Sequence, residues 1–139
     1  MQDDMSDKEN SVASVLETIL VVEDKVLERA AISEYLRHCG YHVIEATSAD
    51  EALVLLNEAH ISIDIVFSVV EMPGSMDGFA LAQWVRANKL GMDVMLTSDI
   101  VKAAEKAGEL CEEGPHLKQP YAPEALVDWI KRLRALKKK

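Results

Sequence analysis

The sequence predicts an α/β domain built on a doubly wound parallel sheet of five strands. Short apolar runs alternate five times with stretches of helical periodicity. Parallel neighbours in a sheet need helical crossovers, so that alternation specifies helices on both faces. The chain has 139 residues, 49% hydrophobic and 28% charged, which suits one domain that buries its core without disulfides or metal.

The elements follow in order. Residues 1–16 are polar and acidic and read as a flexible extension, leaving one folded domain over 17–139. "TILVVE" (18–23) is a β-branched run of the kind buried on both faces. "KVLERAAISEYLRHCG" (25–40) places Val26, Ala30 and Leu36 at helical spacing and stops at Gly40. "YHVIEA" (41–46) is the second strand. "SADEALVLLNEAH" (48–60) opens with Ser48 three before Glu51, a capping box, and has Leu53, Leu55 and Leu56 as its apolar side. "IDIVFSVV" (63–70) is the third strand and "GFALAQWVRANKLG" (78–91) the third helix. "DVMLTS" (93–98) is the fourth strand, followed by "DIVKAAEKAGEL" (99–110) with Asp99 as N-cap. "PHLKQ" (115–119) is a short fifth strand, and "PEALVDWIKRLRAL" (123–136) is a last helix with Pro123 in its first turn, where proline is tolerated.

The formal net charge of -9 argues against a general nucleic-acid footprint, and the lysines at 137–139 read as a solvated helix end. Cys39 and Cys111 stand far apart with no C-x-x-C or histidine pair, which suits a reduced, cytoplasmic chain. No apolar run reaches the roughly 18–20 residues of a membrane span, and the start "MQDDMSDKEN" has no secretory signature. His38, His42 and His60 share no ligand spacing and read as surface residues, and Trp84 and Trp129 as core edge.

Such sheets gather ligands at the carboxyl ends of their strands. The residues that matter are therefore Glu23 and Asp24, then Val69 to Gly74, then Thr97 and Ser98, then Gln119 and Pro120. The acidic pair of "ILVVED", the turn "EMPGSMDG", "LTS" and "QPY" occur in that order on the fivefold alternation. From Thr18 to the C-terminal helix the chain resembles the receiver domain of two-component response regulators, a flavodoxin-like fold.

The resemblance implies a site in which a carboxylate at the third strand's tip attacks a phosphohistidine of a partner kinase. An acid pair holds Mg²⁺, and a hydroxyl and a lysine donate to the phosphoryl oxygens. On this chain Glu23 and Asp24 match the metal-binding pair, the backbone carbonyl of Glu71 the third protein ligand, and Thr97 the switch hydroxyl. The nucleophile position, three before Met72-Pro73, falls on Val69. The lysine position falls on Gln119 and the aromatic switch position on His116. A valine takes no phosphoryl group. Ser68 faces the other side of the strand and is no substitute. Lys118 is one residue from the expected lysine, but strand alternation points it the opposite way.

The family's three acids and one lysine sum to -2, and Glu23 with Asp24 alone give the same sum. Losing both partners together avoids leaving a lysine buried without its acid. The expectation is a stand-alone pseudo-receiver that is no enzyme: a binding module of bacterial-type phosphorelay signalling with weak Mg²⁺ affinity. It would engage a sensor histidine kinase or another response regulator, and pair with itself through the predicted fourth helix, fifth strand and fifth helix. The alternative is an active phosphoacceptor that uses Glu71 or Asp24, with Lys118 supplying charge. A small-molecule binder of the flavodoxin type is disfavoured, because no Gly-rich phosphate loop follows the first strand and "EDKVLE" would set acids against a phosphate.

Overall fold

Five parallel strands form the sheet in the spatial order β2-β1-β3-β4-β5. The computed structural model describes residues 16–98, 116–119 and 121–137. The strands are β1 (Thr18–Val22), β2 (His42–Ala46), β3 (Ile65–Val69), β4 (Asp93–Ser98) and β5 (His116–Lys118). The described helices are α1 (Val26–His38), α2 (Ala49–Leu56), α3 (Gly78–Asn88) and α4 (Pro123–Lys137). The helix expected over 99–110, with its Asp99 cap, lies outside the described residues, as does the acidic extension over 1–15.

Alternation along the central strands splits the core in two. Ile19 and Val21 of β1, Ile65 and Phe67 of β3 and Met95 of β4 pack with α1 and α4, through Ile32, Leu36, Leu126 and Ile130. Leu20, Val22, Val66, Val94 and Leu96 point the other way, onto Ala52 and Leu56 of α2 and Phe79, Ala82 and Val85 of α3. Both faces are therefore covered, which is why β1 and β3 read as unbroken apolar runs.

Helix α1 corrects one detail of the sequence reading. Val26 is 64% exposed and Ala30 is also exposed, while Ile32, Ser33 and Leu36 are buried. The spacing that holds the helix on the sheet belongs to its second half. At α2 the Ser48 hydroxyl accepts from the Glu51 N–H at 3.1 Å, as a capping box requires. Glu51 reaches back one residue further than the motif expects, to the Thr47 N–H at 2.6 Å and the Thr47 hydroxyl at 3.0 Å.

The amino edge of the sheet is clamped by Arg134 of α4. Its guanidinium donates to Glu17 and to Asp93, each at 2.9 Å. At the carboxyl edge, Gly78 opens α3 directly against the tip of β3. A Cβ there would meet the Val69 carbonyl oxygen, and would lie 2.9 Å from Val70 Cα. Only glycine lets helix and strand approach this closely. The Gly78 N–H donates to the Val70 carbonyl at 2.9 Å, closing the turn.

Candidate functional site

The predicted site residues other than His116 sit at the carboxyl edge because each ends a parallel strand or lies within two residues of its end; His116 instead opens β5. Glu23 and Asp24 follow β1. The Glu23 N–H continues the ladder to the Ala46 carbonyl at 3.0 Å, and Arg29 of α1 donates to the Glu23 carbonyl at 3.0 Å, so the Glu23 backbone is held on both sides. The Glu23 carboxylate is buried and accepts from the Lys25 N–H at 3.1 Å. Burial raises its pKa above the ordinary carboxylate range, the Lys25 bond opposes this, and the neighbouring Asp24 carboxylate adds to the rise. Oδ1 of Asp24 is buried with no hydrogen-bond partner among the described residues.

Val69 ends β3, pairs in register with Thr97 of β4, and is buried. Ser68 is also buried, one residue back on the opposite face, with its hydroxyl donating to the Val69 carbonyl at 2.8 Å. The Thr97 hydroxyl is fully buried and has no hydrogen-bond partner among the described residues. Thr97 also pairs with Leu117 of β5, and the Gln119 N–H donates to the Ser98 carbonyl at 2.9 Å. His116 and Lys118 hold their expected places in β5, but their side chains lie outside the described residues.

The structure brings Glu23, Val69 and Gln119 onto one cleft of about 430 Å³, walled by Val21, Ile32, Phe67 and Tyr121. Glu71 is not part of that wall. Its exposed carboxylate accepts from the Ser98 hydroxyl at 2.9 Å and 3.1 Å, fastening the β3–α3 turn to the end of β4. Among the described residues no group of three or more His, Cys, Asp and Glu side chains is placed to hold a metal ion. The unpartnered Asp24 Oδ1 suits a cation. Two acids and a backbone carbonyl nevertheless fall short of the three carboxylates the resemblance implies for Mg²⁺, an ion that sheds its waters reluctantly.

Two contacts at the site carry no signal in the sequence. Tyr121 is the aromatic of "QPY"; its ring meets Phe67 edge-on at 5.9 Å, and burial, with the Glu23 charge behind it, pushes the phenol up to about 12. Ser98 stands among the strand-end residues the sequence points to, but nothing in its spacing indicates its bond to Glu71.

Comparison with known proteins fits this arrangement. The model of the response regulator receiver domain family matches residues 19–131. The chain belongs to this family. The receiver domain is 29% identical over 117 residues to the sensor histidine kinase CheAY of Helicobacter pylori, covering 82% of this chain and 14% of that protein. It is 30% identical over 122 residues to the transcriptional regulatory protein PdtaR of Mycobacterium tuberculosis, covering 85% and 57%. The chain thus spans only part of these curated relatives.

Among solved structures, a response regulator receiver domain protein from Clostridium thermocellum superposes with a TM-score of 0.78 at 26% identity, over 88% of this chain and 98% of that one. The response regulator TrrA of Thermotoga maritima, solved in complex with Mg²⁺-BeF, superposes with a TM-score of 0.74 at 24% identity, over 85% and 99%. That second likeness is one of fold alone.

Proposed function

We propose that this receiver domain is a pseudo-receiver, a signalling module that acts by protein contact and takes no phosphoryl group. The observation that carries the reading is Val69, buried at the tip of β3 beside Thr97, where the family's pattern requires a carboxylate. A side chain without a lone pair forms no bond to phosphorus. Gln119 on the same cleft supports it, because an amide supplies no positive charge to a phosphoryl oxygen. The displaced acceptors gain little support. Glu71 is held toward Ser98, and Asp24 has one carboxylate oxygen buried.

The partners in this reading are a sensor histidine kinase or another response regulator, met in the cytoplasm. Contact, or pairing with a second copy, falls to β5 and α4, together with the helix expected over 99–110, which lies outside the described residues. Mg²⁺ binds weakly at Glu23 and Asp24, with little change in amide shifts near Asp24 at millimolar metal; saturable submillimolar binding there contradicts this.

Acetyl phosphate with Mg²⁺, followed by intact mass, tests the central claim. The expected result is an unchanged mass. An adduct labile to hydroxylamine marks an acyl phosphate and overturns the reading, and mapping it to Glu71 or Asp24 installs the active alternative.

A further inference from the structure

The cleft over Val69 has the make-up of a small-molecule site rather than of a phosphate site. At about 430 Å³ it lies within the roughly 300–1,000 Å³ of ligand pockets, which are mostly apolar with a few converging polar groups. Val21, Ile32, Phe67, Val69 and Tyr121 supply the apolar wall, and Glu23, Gln119, Lys25 and Glu28 the polar groups. A carboxylate at position 69 would have made this space anionic and wet, and a lysine at 119 would have crossed it. Valine and glutamine leave it largely unfilled, and Ala31 on the exposed side of α1 does not cap it.

The head group follows from charge. Among the described residues that line the cleft, Glu23 and Glu28 outnumber Lys25, which disfavours a phosphate or carboxylate ligand. Glu23 gives one oxygen to the Lys25 N–H, and a carboxylate has about four lone-pair sites, so capacity remains for a donor. A buried acid gains most from a charge-assisted hydrogen bond with a cationic partner.

We propose that this cleft binds a small organic amine, with an aromatic or aliphatic body against Val69, Phe67 and Tyr121 and its nitrogen donating to Glu23. Occupancy of the vacated site, rather than phosphorylation, is then the input this domain reads. That role as the input rests on the pseudo-receiver reading, whereas amine binding itself is separable from it. An acetyl phosphate adduct overturns that reading and leaves the binding test untouched.

Three probes share one body and differ in the head: tryptamine, indole and indole-3-acetate, titrated into the ¹⁵N-labelled chain. Tryptamine is expected to saturate at millimolar concentration, with amide shifts centred on Val21, Glu23, Ile32, Val69 and Tyr121. Indole should bind more weakly and indole-3-acetate most weakly. Glu23→Gln should bring tryptamine down to the level of indole. Ala31→Phe fills the cleft from the helix side and Val69→Phe from the strand side. Each should weaken tryptamine by at least about tenfold, and a folding defect in one variant is checked against the other. Equal affinity for all three probes would mean an apolar groove suited to a protein side chain, and refutes the proposal. So does an absence of saturable tryptamine binding, shifts centred elsewhere, or tryptamine affinity unchanged in both filled variants.

Discussion

Replacing Val69 by aspartate restores the missing acid, and its cost can be worked from the site. Val69 is 7% exposed, and withdrawing a valine from such contact forfeits roughly 1.5–3 kcal/mol. The new carboxylate joins Glu23 on the same cleft. Two unit charges about 5 Å apart repel by on the order of 3 kcal/mol at an effective dielectric of 20, before screening and protonation relieve them. The single variant should therefore lose about 3–5 kcal/mol at neutral pH, and less in acid, where the carboxylates protonate.

Mg²⁺ now finds a third carboxylate, and at a hundred times its dissociation constant it returns about 2.7 kcal/mol. Gln119→Lys alone should cost less, because Glu23 is already on the cleft to receive it. In the double variant the acid and lysine attract, so the combined loss should be smaller than the sum by roughly 0.5–3 kcal/mol. Urea midpoints of the four proteins, with and without Mg²⁺, read the cycle. Strict additivity would show that positions 69 and 119 do not share a site, and the assignment of both would fall.

Glu23, whose carboxyl is raised by burial and by Asp24, contributes stability that is complete below the ordinary carboxylate range and lost as pH rises through its raised value. Glu23→Gln should therefore gain stability over the parent from acid to neutral pH, as measured by thermal midpoints; a parallel pH profile contradicts the shift. Gly78→Ala should lose about 1–3 kcal/mol in denaturant, because overpacking against Val69 and Val70 outweighs the roughly 1 kcal/mol of helix propensity that alanine offers. A neutral or stabilised variant would place the helix start further from the strand. Ultraviolet titration should show one phenol ionising near 12 that disappears in Tyr121→Phe and moves down in Glu23→Gln, since burial and then the Glu23 charge raise it. If Glu23→Gln leaves that phase in place, the two groups do not face each other.

The sheet was legible because its strands are buried on both sides, so burial wrote itself as β-branched runs. β4 begins and ends at the residues expected, and the other strands differ by a residue or two where a polar end such as Glu23 continues the ladder. Helix α1 was less legible. Val26 and Leu27 sit in its first turn at the open carboxyl edge, beyond reach of the sheet, and apolar identity alone does not tell that turn from the next. The positions of Val69, Thr97 and Gln119 followed from counting along motifs, since parallel register fixes which residues end together. Contacts between loops had no such rule behind them. Glu71 with Ser98, and Tyr121 with Phe67, join residues whose spacing carries no periodic signal.

Arg134 gives α4 a mechanical asymmetry. The helix is pinned near its far end, where one guanidinium holds Glu17 and Asp93. Its near end, at Pro123, borders the cleft. From Pro123 to Arg134 is about 16 Å of helix at 1.5 Å per residue, so pushing the near end by about 2 Å turns the rod through about 7° instead of sliding it. Trp129 rides on that lever, partly exposed, with Arg132 stacked 5.7 Å from its ring. A ligand that displaced the Pro123 end would therefore tilt α4 against the packing of Leu126 and Ile130 and carry Trp129 with it, a movement read from indole emission in a Trp84→Phe background.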